Sequence, residues 1–477
     1  MGERTTHSGS VWLRLFTALV LLASVEVSAN TPVIDSKAHV VRAVALIEEG
    51  GYSLARSYLE PALIDPRLSA AERARAYYLR GYSFYAQNFY VSARKDYARA
   101  LEFNPDNPAA LAALAGLHAH GLGVVRNHEL AYQFFSKAAH GGHVDAQFHV
   151  GYAQLEGRGT DVDLDSARGW LKGAADQGHV AAMTYLARSF REVIAEVADP
   201  DQARGWYEKA HAAGAVDALV SLAFMYQNGE FGDPDKERAR RLFTQAADAG
   251  SGAGRVSLGH LYLSGDSGSP DYAKARSLFE QAAAQQIPGS YLGLGHIYEA
   301  GLGVEPDLDE AERWYRLGAR AELLPAQLRL AGLLLRNEQS DKTPEAMDWL
   351  AQAATQNDPT AQNDYAWMLA THPDDALRDG ELALTLAQRA ITANPSAAFL
   401  DTLAAAYAEV GNFTQAVTTQ HEALKLLNET QTSLRAELNA HLAAYEEGKR
   451  WRQYRISGKR SPPKSPRDPP SKERNKA

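Results

Sequence analysis

The stretch "DVDLD" at residues 161–165 sets carboxylates at alternate positions, the spacing with which a loop can wrap a calcium ion. Such a loop also needs glycine at 166 and a bidentate glutamate at 172. The chain has Ser166 and Lys172 there, so the calcium reading fails on its own spacing. Six histidines fall at 118, 120, 128, 140, 143 and 149. His140 and His143 can share a helix end, yet no third ligand stands at a spacing that would close a coordination shell. "GLGV" at 121–124 and 301–304 is glycine-rich, but no strand precedes it and no lysine follows to hold a phosphate. No Ser/His/Asp set and no pair of carboxylates stands out. The 477 residues include no cysteine, which excludes disulfides, thiolate metal sites and a cysteine nucleophile. The sequence thus offers no catalytic residue, no metal site and no cofactor site.

What the sequence does offer is repetition. "SARGWLKGAADQGHVAA" (166–182) returns 36 residues later as "QARGWYEKAHAAGAVDA" (202–218). Phe134, Trp170, Trp206, Leu242, Leu278 and Trp314 follow one another at that step, and Trp349 follows at 35. Three residues upstream of each stands an alanine, from Ala131 to Ala346. A second small-residue column holds Ala115, Gly151, Ala187, Ala223, Gly259, Gly295 and Ala331. Closing glycines recur at Gly142, Gly178, Gly214 and Gly250, and His143 and His179, one period apart, read as turn residues. Between glycines, apolar residues step by three and four: Leu164, Ala167, Trp170, Leu171, Ala174 and Ala175 mark one helix, and "ALVSLAFMYQNG" (218–229) marks its counterpart. Each unit is therefore predicted to be two antiparallel helices, with the large residue of the tryptophan column as the knob packed on the next hairpin.

The units resemble Sel-one-like repeats (SLR). "LGLGHIYEAGLGVEPDLDEAERWYRLGA" (292–319) follows that pattern almost throughout, and "LAGLHAHGLGVVRNHELAYQFFSKAAHGG" (114–142) follows it well. The departures fall at 188–199, which lacks the loop glycines, and at 331–343, where Leu334 replaces the tyrosine. The flanks are similar to tetratricopeptide repeats (TPR): Gly81, Phe84, Ala93, Tyr97, Ala100 and Pro105 take that motif's spacings, as does "LDTLAAAYAEVGNFTQAVTTQHEAL" (400–424). The resemblance implies an all-α fold, a right-handed α-solenoid of about eleven helix-turn-helix hairpins. The expected divisions are TPR-like repeats over 30–107, a Sel-one-like array over 108–358, TPR-like repeats over 359–430 and a capping helix over 431–456.

The two ends differ from this body. Arg4 and Arg14, the apolar "LFTALVLLA" (15–23) and the small-residue site "VSA" (27–29) predict a secretory signal over 1–29, with the mature chain starting near Asn30. An uncleaved anchor is the alternative; no later segment is apolar enough to span a membrane. The predicted location is periplasmic or secreted. The tail 457–477 holds five prolines, seven Lys/Arg and two acids, so it is +5 and predicted to be disordered. The first 29 residues balance two charges of each sign, which leaves residues 30–456 at −14 of the chain's total of −9. Nucleic acid is the wrong partner for such a body.

The remaining candidate is a surface. The position just after the small-residue column reads Tyr82, Gly116, Tyr152, Arg188, Phe224, His260, His296, Gly332 and Trp367. If the first helices stack regularly, Tyr82, Tyr152, Arg188, Phe224, His260, His296 and Trp367 form an aromatic and cationic stripe on the concave face. Such residues dominate protein interfaces. The competing expectation is that several simply pack between neighbouring first helices. The resemblance implies a non-catalytic exported scaffold that binds proteins or peptides in a cell-envelope complex, for instance in polysaccharide export or envelope assembly. The alternatives are a solenoid that binds glycan or peptidoglycan, and a penicillin-binding hydrolase like the cysteine-rich relatives. Those relatives use paired cysteines as staples, which this chain lacks.

Overall fold

The computed structural model describes residues 35–191, 198–265, 268–336, 342–393 and 395–453. The expected signal (1–29) and basic tail (457–477) lie outside the described residues, as do parts of the two irregular loops, at 192–197 and 337–341. The described residues form 23 α-helices, one short 3-10 turn at Asp375–Leu377 and no strand.

Two compact units divide the chain between Asp235 and Lys236. The first holds α1 (Ser36–Glu48), α2 (Tyr52–Ile64), α3 (Ala70–Tyr85), α4 (Tyr90–Phe103), α5 (Pro108–His120), α6 (His128–His140), α7 (Val144–Glu156), α8 (Leu164–Asp176), α9 (Val180–Arg191), α10 (Pro200–Ala212) and α11 (Ala218–Gln227). The second holds α12 (Lys236–Asp248), α13 (Gly252–Ser264), α14 (Tyr272–Ala284), α15 (Pro288–Ala300), α16 (Leu308–Arg320), α17 (Leu324–Arg336) and α18 (Thr343–Ala354). It continues with α19 (Pro359–Thr371), α20 (Gly380–Ala393), α21 (Ala397–Glu409), α22 (Phe413–Lys425) and α23 (Thr432–Glu446). Within each unit every helix packs on the next, so the fold is a series of antiparallel hairpins. First helices also touch their counterparts in the next hairpin, as α7 touches α9 and α13 touches α15.

The boundaries follow from local chemistry. Asp163, part of the suspected calcium loop, is the N-cap of α8: its carboxylate accepts a hydrogen bond from the Ser166 N–H at 3.0 Å. Asn127, Asp199, Asp271 and Asp307 cap α6, α10, α14 and α16 in the same way. Each also donates its own N–H to a carbonyl near the end of the preceding helix, as Asp163 does to Gln154 at 3.0 Å. This alternating acidic pattern is therefore a turn device, satisfying donors that a helix start leaves orphaned.

Inside a hairpin the decisive contact joins a small residue on the first helix to a large one on the second. A Cβ placed on Gly151 would lie 2.7 Å from Leu171 Cγ, and one on Gly259 would lie 2.8 Å from the Phe279 ring. Gly295 faces Tyr315, and Gly81 faces Tyr97, in the same manner. The residue that closes the hairpin is thus one later than the tryptophan column, whose members pack instead on the adjacent hairpin, as Trp170 meets His140 at 5.0 Å and Trp314 lies against the Phe279 cluster. Phe135, Leu171, Tyr207, Phe243, Phe279, Tyr315 and Leu350 are all buried, whereas Phe134, Trp170, Leu242, Leu278, Trp314 and Trp349 are only half-buried. Trp206, at 7% exposure, is the exception within the earlier column. The reason is geometric: adjacent residues on a helix point about 100° apart, so only one of the two can aim at the partner helix. Phe279 also meets Gly293 of the next hairpin, where a Cβ would lie 2.6 Å from its Cζ. One ring therefore fastens its own hairpin and the following one together.

At the C-terminal end, α23 packs on α22 and α21, and the chain then returns to α19. Gln453 donates its N–H to the Thr371 carbonyl at 2.8 Å, and Arg452 pairs with Glu409 at 2.7 Å. The capping helix predicted over 431–456 thus ends at Glu446, and residues 447–453 form a strap.

Two predictions follow from these contacts. Phe279→Ala removes a fully buried ring and should cost about 3–5 kcal/mol, with Gly293→Ala costing about 1–3 kcal/mol by overpacking. Leu278→Ala should cost clearly less than Phe279→Ala. Hydrogen exchange across 252–300 reads the local loss, and equal effects at 278 and 279 would place the knob wrongly. The second concerns the turn between hairpins, where Gly142, Gly178, Gly214 and Gly250 take φ of +83°, +87°, +99° and +94°. Gln286, Glu322 and Asn357 occupy the same turn at +58°, +60° and +59°, a region that a Cβ disfavours. Glu322→Gly should therefore stabilise its hairpins by about 0.5–1 kcal/mol, net of the entropy glycine adds to the unfolded chain. A variant that exchanges faster than the parent over 308–336 would contradict this.

Candidate functional site

The residue after each small-column position sits about 100° round the helix from the contact that closes the hairpin. At every such position but Trp367 it flanks the core without entering it, which leaves part of the residue to solvent. In the first unit, Tyr82 on α3 is half-buried beside Tyr78, and burial pushes its phenol pKa up. Tyr152 on α7 stacks on Phe148 at 6.1 Å and meets Tyr185 of α9 edge-on at 5.1 Å. Arg158 lies over the Tyr152 ring at 5.2 Å, and Arg188 lies over the Tyr185 ring at the same distance. Arg188 also forms an ion pair with Glu156 across the two helices. Phe224 on α11 is 38% exposed, an unusual exposure for phenylalanine.

In the second unit, His260 is exposed with its ring edge-on to Phe279 at 5.0 Å, and His296 is half-buried. Both imidazoles are held below the usual histidine pKa, chiefly because the neighbouring helices strip water from the rings. His296 charging weighs further on His260, and Arg329 weighs on His296, while Glu299 opposes the shift at His296.

Trp367 requires a correction. It is completely buried, with its ring 5.5 Å from that of His441 on α23. Here α19 packs on both α20 and α21, and Trp451 of the strap joins the same cluster. Trp367 is a core residue and offers nothing to a surface partner. His441 is itself buried, bonded through Nδ1 to Asp401 Oδ1 at 2.7 Å, and Gln420 donates to the same oxygen at 2.7 Å.

The clustered histidines disperse into structural roles. His143 and His179 are N-caps, each accepting through Nδ1 from the N–H three residues on, at 3.3 Å and 3.0 Å. His149 stacks on Phe135 at 4.4 Å, and burial pushes its pKa down to about 4. His140 engages the Ser136 carbonyl at 2.7 Å. Among the described residues, no three His, Asp or Glu side chains converge as a metal site.

The sequence reading missed the residues one turn upstream of the column. Tyr78, Phe148 and Leu292 precede Tyr82, Tyr152 and His296 by four, and Tyr185 precedes Arg188 by three. Residues at these spacings share a helix face, so the signal was present in the helical period itself. Arg329 was not so legible, because its repeat carries Gly332 at the column position.

The Sel1 repeat family model matches residues 108–143, 144–179, 180–214, 216–251, 255–286, 288–323, 324–358 and 359–395. Its last match therefore covers part of the segment whose spacings resemble a tetratricopeptide repeat. No curated protein matches the chain. Among solved structures, it is similar to a Sel1 repeat protein from Oxalobacter formigenes, with 27% identity, a TM-score of 0.45 and coverage of 50% of this chain and 98% of that one. A protective antigen present in uropathogenic Escherichia coli strains, displaying an SLR fold, is 23% identical with a TM-score of 0.47, over 87% of this chain and 90% of that one. Yeast Tom70 is 15% identical with a TM-score of 0.36, over 86% and 96% respectively. With eight matches spread over more than half of its length, the chain belongs to the Sel1 repeat family.

Proposed function

We propose that this protein is an exported, non-catalytic scaffold whose first-helix face binds protein or peptide partners in a cell-envelope complex. A Sel1 repeat array is a protein-binding framework. The observation that carries it is the cluster of Phe148, Tyr152 and Tyr185 with Arg158 and Arg188 over its rings. The three aromatics and Arg188 are half-buried and held by packing and by the Arg188–Glu156 ion pair, so a partner binding there loses little side-chain entropy, while Arg158 is exposed. The basic N-terminal flank, short apolar core and "VSA" site support export. The absence of any cysteine accords with a protein that needs neither staples nor a thiol nucleophile.

The binding claim is tested with a partner recovered from crosslinked envelopes of the native host. Phe224→Ala and Tyr152→Ala should each weaken its binding by about 1 kcal/mol or more, with helicity retained. If both variants bind as well as the parent while melting normally, the first-helix face is not the interface. Recovery of glycan in place of protein would favour the glycan-binding alternative. Export is tested separately by intact mass. A mature chain beginning near Asn30 in the periplasmic fraction is expected; a full-length chain released only by detergent would contradict it.

A further inference from the structure

A cleft of about 190 Å³ opens in the second unit, lined by His260 of α13, Leu292, Gly293 and His296 of α15, Tyr315 of α16, and Pro325 and Arg329 of α17. Three nitrogen-bearing side chains thus meet beside an apolar wall. Neither imidazole makes a hydrogen bond among the described residues. Arg329 Nη1 forms only a long ion pair with Glu299 Oε2, at 3.9 Å and beyond hydrogen-bond reach. Glu299, the nearby acid, is already engaged: Tyr315 donates its hydroxyl to Oε2 at 2.7 Å, and Arg336 pairs with Oε1 at 2.7 Å. The cleft therefore presents a guanidinium and two imidazoles whose hydrogen bonds go to no side chain of the unit.

We propose that this cleft receives the carboxylate of a glutamate or aspartate side chain from an extended peptide partner. Arg329 supplies the charge-assisted bond, His260 and His296 each donate an N–H, and Leu292 and Pro325 cover the methylene stem. The assignment rests on the first-helix-face reading and adds to it the class of residue that is recognised. Charge complementarity favours this occupant. A phosphate dianion asks for several cations or backbone N–H groups, whereas one guanidinium with two imidazole N–H groups, beside Glu299, suits a single planar carboxylate. Residues 30–456 carry a net charge of −14, so an acidic peptide is repelled by the body in general. Binding of such a peptide would therefore report this local cluster rather than bulk attraction.

The test uses the full chain and two fluorescein-labelled, end-capped peptides, one alternating Glu with Leu and one alternating Gln with Leu. End-capping removes the terminal carboxylate, so only side chains are compared. The Glu peptide should bind about tenfold tighter than the Gln peptide. Arg329→Gln and His296→Gln should each abolish that preference, while Arg313→Gln, on the exposed face of α16, should retain it. Melting curves confirm that each variant is folded. Acetate should displace the Glu peptide at least as well as phosphate does. Equal binding of the two peptides, a preference that survives Arg329→Gln, or stronger displacement by phosphate would overturn the assignment. None of these results bears on Phe224 and Tyr152, so the wider reading stands or falls on its own partner-binding measurement.

Discussion

Everything in this protein depends on close approach between the two helices of a hairpin, a glycine or alanine on one accepting a large side chain from the other. At Gly259 and Gly295 no Cβ can be accommodated without moving the Phe279 or Tyr315 ring. That contact fixes how far apart the helices sit and how each is rotated about its axis. Rotation then decides every other face. Phe279 reaches Gly293 as well, so the same rings that close hairpins also join them in series. Stability in such arrays is carried by neighbours, and this explains why the motif recurs instead of appearing once at a special site.

The face proposed for binding is a consequence of this lock. With the small residue turned inward, the next residue must lie at the margin of the core, where it is held firmly yet keeps some contact with solvent. Tyr152, Arg188 and Phe224 occupy that margin in the first unit, and His260 and His296 occupy it in the second. Because the position is not needed to close the hairpin, its identity can differ from repeat to repeat. Aromatic, cationic and imidazole side chains follow one another on an otherwise constant frame. The C-terminal hairpins show the limit of the rule: α23 and its strap cover Trp367 and convert a margin position into core.

The hairpin architecture was legible in the sequence because it is written as a period. The small-residue columns, the closing glycines and the three- and four-residue apolar steps all carry the same message independently. The tryptophan column was legible as the contact between hairpins, but the knob inside each hairpin, one residue later, was not, because both columns are rich in large side chains and composition alone does not tell which of two neighbours faces the partner helix. The residue twenty positions after the small column, Leu171 after Gly151 or Phe279 after Gly259, is the one that fits. The Asp and Asn capping column was hidden by its likeness to a calcium loop. Trp367 was illegible for a different reason. Its surroundings are made by a segment distant in sequence, α23 and the strap beyond it.

The central claim is that the margin column of the first helices is where a partner rests. The most direct measurement places a photo-crosslinking amino acid singly at Phe224, Tyr152, Lys172 or Arg241 and irradiates intact cells of the native host. Lys172 and Arg241 are exposed on second helices, away from the column. Partner adducts are predicted at Phe224 and Tyr152 and not at the other two positions. Adducts at Lys172 or Arg241, with none at Phe224 and Tyr152, would contradict the claim and move the interface to the opposite helices.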